Sequence, residues 1–410
     1  MKGGGSIQFS LLKRYSELED FEGNVIVCAV PDEENMSAGM RTAVRLLAKL
    51  KDEYGLDYRM MINSEPQQRK DPEEGIFSEG TVGKLMPFVY VRGYLSHVGK
   101  VFEGFNPVNL MSEIVRRTEL NMDFSDVVGD ECAPPPTWLY LKDSKTVYDV
   151  SMPLSMEGCF SVLTLRRAPR EILDMLREIC EESFDLVLND MHKSYDRFVS
   201  AARPVAKTLP WKKKVMSFMD LYKEAEHDHG SDFVEAYDQE LAALTEQIDS
   251  GEINIIESNF SLVDMVFEYI DDLSPRVIFG LIPPYYPSAS NCFFEGIGER
   301  AKISDVLNEF TMKEFGQRYT REYFYTGICD LSFSGIRKSS EVLDTITEYM
   351  PLFGKYYDIP FDSLEKISMP CINIGPWGKD FHKLTERVYK EDLYERTPKI
   401  LNEAIMLLLK

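Results

Sequence analysis

Near its start, the chain alternates between apolar patterns of helical and of strand length. Apolar side chains recur at helical spacing in residues 6–16, which predicts an amphipathic helix. The continuous apolar run 25–30 predicts a strand that is buried on both faces. A second helix is expected between Ser37, as N-cap, and Gly55, and a second strand at 58–62. This order of elements indicates an α/β domain with parallel strands.

The order of the predicted elements changes after residue 83. Residues 67–83 are polar and contain Gly and Pro, which is typical of a crossing between domains. The segments that follow are predicted as strands at 88–94, 138–141, 147–150 and 159–165, with helices at 106–120 and from Pro169 onward. This order predicts an α+β layer with helices on one face of its sheet.

The remainder of the chain returns to helices and single strands. Residues 204–270 have a helical and acidic pattern, strands are expected at 277–281 and 371–374, and a helix at 398–409. We therefore expect an α/β domain that an α+β domain interrupts. The boundaries are 1–83 for the first part of the α/β domain, 84–200 for the insert, 201–275 for a helical acidic segment returning to it, and 276–410 for its second part.

Composition excludes several classes of partner. Lys and Arg total 46 against 68 Asp and Glu, a formal net charge of −22, which repels nucleic acids and anionic lipid surfaces. No apolar run approaches the ~18 residues that a membrane helix needs. The seven cysteines are scattered without a CxxC pair, which predicts reduced core thiols in a cytoplasmic protein.

Acidic side chains follow two neighbouring predicted strands. Asp32, Glu33 and Glu34 come directly after the first strand, and Glu65 follows the second. The carboxyl ends of parallel strands meet at one edge of a sheet, where ligands bind. Two adjacent glutamates there can divide the work, because one can bind a metal while the other acts as general base. Each acidic turn taken alone is also explained as solvated surface.

A glycine-rich turn that ends in a histidine follows the predicted strand 371–374. Backbone N–H groups at Gly375 and Gly378 suit an anionic end of a substrate, and His382 offers a nitrogen ligand for zinc. Together with Glu34 and Glu65, His382 forms a donor set that zinc or cobalt accepts. These residues do not complete a two-metal site.

Several extended stretches carry a resemblance to a known family. They are the strand–PDEEN–helix, INSEP, RGYLSHVGKVFEGFNPVNLMSEIV, GLIPPYYPS, YFYTGICDLSFSG and NIGPWGKDFHKLTERV. Together they resemble the co-catalytic zinc aminoacylase/carboxypeptidase family of metallopeptidase clan MH, and within it the arginine-utilization members. The resemblance implies a zinc-peptidase-like α/β catalytic domain, with a mostly parallel sheet and helices on both faces. It also implies that the insert is a ferredoxin-like lid that forms dimers.

The resemblance assigns roles residue by residue. It implies that Glu33 is the general base and that Glu34, Glu65 and His382 are metal ligands, while the glycine-rich turn itself suggests that Gly375 and Gly378 bind substrate. His97 of the lid matches the catalytic histidine that reaches the partner's active site in family dimers. Asn106 and Asp330 are further substrate-binding candidates, although capping a helix or a turn explains each of them as well.

The activity that the resemblance implies is metal-dependent amide hydrolysis. Its substrates would be small N-acyl amino acids or dipeptide-like molecules, in arginine or ornithine catabolism. A complete active site would hold two zinc ions, with cobalt or manganese as alternatives. A homodimer would form through the lid.

One departure from the family pattern affects these expectations. The family places a His-x-Asp pair on an earlier strand and a bridging aspartate before a Met-Lys-Gly-Gly-like segment, and this chain begins with Met1-Lys2-Gly3-Gly4. We therefore expect half of the metal shell to be missing, metal binding to be weak or absent, and the chain alone to be nearly inactive. A fragment of a longer product is favoured because the other site residues remain. The alternative is a non-catalytic binding or scaffold relative that has lost its metal site.

Overall fold

The computed structural model describes residues 2–202, 207–294 and 302–409. Its helices are α1 Lys2–Ser16, α2 Ala38–Tyr54, α3 Pro107–Thr118, α4 Pro169–Ala202, α5 Phe218–Ser250, α6 Ile255–Phe267, α7 Ile303–Phe315, α8 Ser339–Tyr349, α9 Phe361–Ile367 and α10 Thr397–Leu409. Its strands are β1 Met61–Asn63, β2 Gly75–Ser78, β3 Gly80–Thr81, β4 Gly83–Leu85, β5 Pro87–Arg92, β6 Val127–Val128, β7 Glu131–Cys132, β8 Thr137–Asp143, β9 Ser155–Thr164, β10 Val215–Ser217, β11 Arg276–Leu281, β12 Ala289–Ser290, β13 Tyr319–Glu322, β14 Cys371–Asn373, β15 Gly378–Lys379 and β16 Arg387–Val388.

The α/β domain is built on a four-stranded mixed sheet in the order β1-β14-β2-β13. The pairs β1–β14 and β2–β13 are parallel, and β14 meets β2 antiparallel. Neighbouring side chains on a strand point to opposite faces. Ile372 accordingly packs with α1, α7 and α10, whereas Cys371 packs on the other face with Leu331 and Met61. Helices α2 and α9 contribute to the core beside Met61, so helices cover both faces, as expected.

The prediction of a strand at residues 25–30 is wrong. The segment runs without regular structure and forms no ladder with any residue that the structure describes. Its side chains and those of residues 57–63 line one cavity of about 430 Å³, and Ile26 remains 45% exposed. An apolar run becomes a strand only when another strand accepts its backbone hydrogen bonds, and none of the described strands pairs with this segment.

The segment predicted as a lid contains a second, larger sheet in the order β10-β11-β5-β9-β4, with β8 paired to β9, and we keep the name lid for the part of the chain built on this sheet. Val89 and Phe279 pack on the face of α3 and α4, and Phe88 and Ile278 pack on the face of α5 and α6. The expectation of helices on one face only is therefore wrong, because the acidic segment folds into two amphipathic helices that cover the second face.

The structure differs from the predicted elements and boundaries at three further places. Strand β11 was expected in the second part of the α/β domain, and it pairs with β5, so the lid's sheet extends past residue 275. Residues 147–150 form no strand, and Tyr148 is 93% exposed. The polar crossing 67–83 contains the buried strands β2 and β3. Residues 203–206, which belong to the predicted helical acidic segment 201–275, lie outside the described residues.

The cysteine prediction holds in part. Cys159, Cys180, Cys329 and Cys371 are buried free thiols, whereas Cys28, Cys132 and Cys292 are exposed. Within the three described ranges, no helix is both long and apolar enough to cross a membrane.

Candidate active site

The turn that holds the two glutamates is fixed by Asp32. Asp32 has a left-handed backbone with φ of 70°. Its carbonyl oxygen accepts the N–H of Ser37 at 2.7 Å, and its carboxylate accepts the N–H of Ala38 at 3.2 Å. Asp32 therefore accepts hydrogen bonds from backbone N–H groups at the start of α2. Ser37 occupies the N-cap position of this helix, but its side chain makes no capping hydrogen bond.

Two hydroxyl groups connect this turn to later parts of the chain. The Ser37 hydroxyl donates to Asp330 Oδ1 at 3.4 Å. The Tyr286 hydroxyl donates to the carbonyl oxygens of Glu33 at 3.5 Å and Asn35 at 3.3 Å. Sequence reasoning missed Tyr286, because PPYYP predicts only a turn and nothing in that motif shows which carbonyl the phenol reaches.

Carboxylates from three segments of the chain converge at this point. Burial raises the pKa of Glu33 to about 7, and the nearby charges of Glu65, Glu34 and Asp330 raise it further in the same direction. Burial also raises the pKa of Glu65, with Glu34 and Asp330 adding to the effect. Burial raises the pKa of Asp330 to about 6, against the hydrogen bond from Ser37. Glu33, Glu34, Glu65 and Asp330 therefore lie close enough to affect one another's ionisation, although Glu33 and Glu34 do not follow a strand as expected.

His382 lies at the tip of the β15–β16 hairpin. Its Nε2 is 3.7 Å from Glu34 Oε1, and both side chains are 74% exposed. Asp380 and His382 have left-handed backbones with φ of 59° and 60°. Residues with side chains adopt this conformation only when the surrounding structure fixes them in it. The structure therefore brings His382 to Glu34, as the sequence predicts.

The segment that carries Glu65 runs against the base of this hairpin. The Asn373 side chain bonds both the N–H and the carbonyl oxygen of Glu65, each at 2.9 Å. A Cβ at position 375 would lie 1.7 Å from the carbonyl oxygen of Glu65, so Gly375 is required for this approach. The N–H of Gly378 donates to the carbonyl oxygen of Gln67 at 2.9 Å, and this bond occupies the group that we assigned to substrate.

The structure does not bring the two lid candidates to the carboxylates. His97 is exposed, and its Nδ1 accepts the N–H of Gly99 at 3.0 Å. Asn106 Oδ1 accepts the N–H of Val108 at 3.0 Å, so its side chain caps α3. No contact that the structure describes connects either residue with Glu33, so their roles stay predictions.

Whether this site could hold a metal ion depends on the kind and the placement of its donor groups. Carboxylates and an imidazole are the kinds of donor that zinc accepts. Within the described ranges, however, no group of three or more His, Cys, Asp or Glu residues could hold a metal ion. These residues are of the kind that binds a metal, but the described structure does not place three of them where together they could hold one.

Comparison with known proteins adds to this geometry. No protein-family model matches the chain. The chain is 30% identical to the uncharacterized protein YqjN of Bacillus subtilis over 414 aligned residues, which cover all of this chain and 73% of YqjN. It is 28% identical to protein RocB of Bacillus subtilis, covering all of this chain and 72% of RocB. The chain belongs to the RocB-like metallopeptidase family.

The fold of this RocB-like chain is also found in a solved structure. Aminopeptidase PepT from Bacillus cereus superposes with a TM-score of 0.50 at 10% identity, over 100% of this chain and 71% of PepT. At that identity the likeness shows the fold alone. The predicted resemblance and the predicted α/β fold class are both confirmed.

Proposed function

We propose that this chain carries the general-base side of the active site of a metal-dependent amidohydrolase. The observation that carries the proposal is the convergence of Glu33, Glu34 and Asp330 on Glu65, which follows β1, with His382 of another segment beside Glu34. Bringing carboxylates together costs electrostatic energy, so a purely structural turn gains nothing from it. Membership of the RocB-like family supports the same interpretation.

Glu33 is the residue that we propose as general base. It takes a proton from the water that attacks the amide carbon and returns it to the leaving nitrogen. A carboxyl group whose pKa is raised to about 7 can do both near neutral pH. The Tyr286 hydroxyl donates a hydrogen bond to the carbonyl oxygen of Glu33. This bond holds the backbone of Glu33 in place and leaves the Glu33 side chain free for proton transfer.

Glu34, Glu65 and His382 are the residues that we propose would hold a divalent metal. When bound, such a metal supplies Lewis-acid polarisation of the amide carbonyl. Because the described residues lack a complete ligand group, we expect weak metal binding by this chain.

The substrates that we propose are small N-acyl amino acids or dipeptide-like amides, with arginine and ornithine derivatives first. The similarity to RocB supports this choice. Asp330 remains the candidate for a cationic group of the substrate, in competition with its hydrogen bond to Ser37.

The test is release of free amine from N-acetylarginine, N-acetylornithine and a dipeptide, with Zn²⁺, Co²⁺ or Mn²⁺ added. We expect turnover far below the usual enzyme value of about 10 s⁻¹, and its loss in Glu33→Gln. Glu53→Gln, an exposed change on α2, is the matched control and should leave the rate unchanged. Equal rates in the Glu33→Gln and unaltered chains would remove Glu33 from the reaction. Absence of both hydrolysis and metal binding would favour the binding or scaffold alternative.

We also propose a homodimer through the lid. Strand β8 is an edge of the lid's sheet, since it pairs with β9 and with no other described strand. Leu139 and Leu141 on this strand are each 51% exposed. Long exposed edges with apolar side chains favour pairing with another chain. Sedimentation should show a dimer that Leu141→Lys converts to a monomer, and a monomeric unaltered chain would contradict this proposal.

A further inference from the structure

A buried ion pair contacts the base of the β15–β16 hairpin, which carries His382. Arg69 Nη2 lies 2.7 Å from Asp392 Oδ2, and the two side chains are 1% and 0% exposed. Arg69 follows the Glu65 segment, and Asp392 begins the π-helical turn Asp392–Arg396 that precedes α10. The pair therefore joins the segment that follows Glu65 to the turn that follows the hairpin.

This ion pair contacts the first residue of the hairpin's base directly. Asp392 Oδ2 accepts the backbone N–H of Trp377 at 3.0 Å. The guanidinium of Arg69 lies 4.7 Å from the centre of the Trp377 ring. The carbonyl oxygen of Trp377 in turn accepts the N–H of Tyr389 at 2.8 Å, on the returning strand. One buried pair thus fixes both ends of the hairpin.

Stability alone does not explain a fully buried ion pair at this place. Removing two charges from water costs about as much as their attraction returns, and apolar residues of similar volume often do as well. What the pair adds is direction, since a planar guanidinium and a carboxylate fix the angles of the groups that they bond. The tip of the hairpin needs such a fixed base, because Asp380 and His382 are held in left-handed conformations.

We propose that Arg69 is a positioning residue, which together with Asp392 holds the hairpin so that His382 stays beside Glu34. The use of His382 as a metal ligand rests on the proposed function. The positioning itself does not, and it can be measured without any activity.

The experiment is ¹³C–¹H spectroscopy of histidine rings in the full chain, which contains five histidines. His382→Gln identifies the signal of His382. Arg69→Lys keeps the charge and removes the planar fork, and we expect it to shift or broaden the His382 signal while the other four stay in place. Zn²⁺ is then titrated alone, and we expect Arg69→Lys to weaken its effect on His382 by about 10- to 100-fold, the usual loss when the support of a ligand is removed.

Arg276→Lys is the matched control. Arg276 is also fully buried, with its Nη1 3.0 Å from Glu224 Oε1, but it lies in the lid. An unchanged His382 signal in Arg69→Lys overturns the inference, as does an equal shift in Arg276→Lys. If Arg69→Lys does not fold, Trp377→Leu replaces it, because this change removes the ring that the Arg69 guanidinium contacts. An unchanged His382 signal in Trp377→Leu would then overturn the inference. If Zn²⁺ leaves His382 unaffected in the unaltered chain while Arg69→Lys still shifts its signal, the proposed metal site fails and the positioning role stands.

Discussion

Replacing Glu33 by Gln should make the protein more stable above neutral pH. The pKa of Glu33 rises from its usual 4.5 to about 7 on folding, chiefly through burial. Each pKa unit corresponds to about 1.4 kcal/mol, which gives an upper bound of about 3.4 kcal/mol. The side chain is only half-buried, so solvent screening reduces this to about 1–2 kcal/mol. The change to Gln removes the charge and nearly preserves the shape.

The sign of the pH dependence follows from proton binding. The folded protein holds the proton of Glu33 more tightly than the unfolded chain does, so the free energy of unfolding falls as pH rises from about 4.5 to about 7. The full penalty is present above pH 7. Glu33→Gln should therefore add about 1–2 kcal/mol at pH 8 and only a few tenths at pH 5.

The assay is urea unfolding of both proteins at pH 5 and pH 8, with Glu53→Gln on the exposed face of α2 as control. The control should show little change at either pH, as surface substitutions usually do. A Glu33→Gln chain that is destabilised, or changed equally at both pH values, would refute the raised pKa of Glu33 in the folded protein.

Three further predictions test other parts of the structure. Cys28 should react with a maleimide in the native protein, whereas Cys180 should react only after unfolding, as mass spectrometry of the labelled chain would show. Gly375→Ala places a Cβ 1.7 Å from a carbonyl oxygen of the neighbouring segment and should lower the melting temperature strongly, whereas Gly5→Ala in α1 meets nothing within 4 Å and should raise the free energy of unfolding by about 0.5–1 kcal/mol. Arg276→Met should cost about 2 kcal/mol in urea unfolding, because the carboxylates that it leaves are partly exposed and can hydrate. Equal labelling of the two cysteines, a harmless Gly375→Ala or a neutral Arg276→Met would each contradict the packing described.

Helices were predicted well where their own side chains specify them. Helix α2 ends at Gly55, whose φ of 65° few other residues adopt, and its apolar positions recur at helical spacing. The run 25–30 has an equally strong apolar pattern and forms no strand. A strand depends on a partner elsewhere in the chain, which its own pattern does not reveal.

The site was predictable where it depends on the end of a strand and not where it depends on side-chain reach. Glu65 follows β1, as predicted, whereas Glu33 and Glu34 belong to a segment without regular structure whose turn is held by Asp32. The bond from Tyr286 to the glutamate turn and the pair of Arg69 with Asp392 join residues far apart in sequence. Local pattern contains no information about such contacts, so only the folded structure reveals them.

The central claim is that the carboxylate edge is a metal-dependent site. The most direct test is calorimetric titration of Zn²⁺ into the unaltered chain and into Glu34→Gln and His382→Gln. We expect weak binding by the unaltered chain that both substitutions remove. Binding that survives both substitutions, or no binding by the unaltered chain, would contradict it.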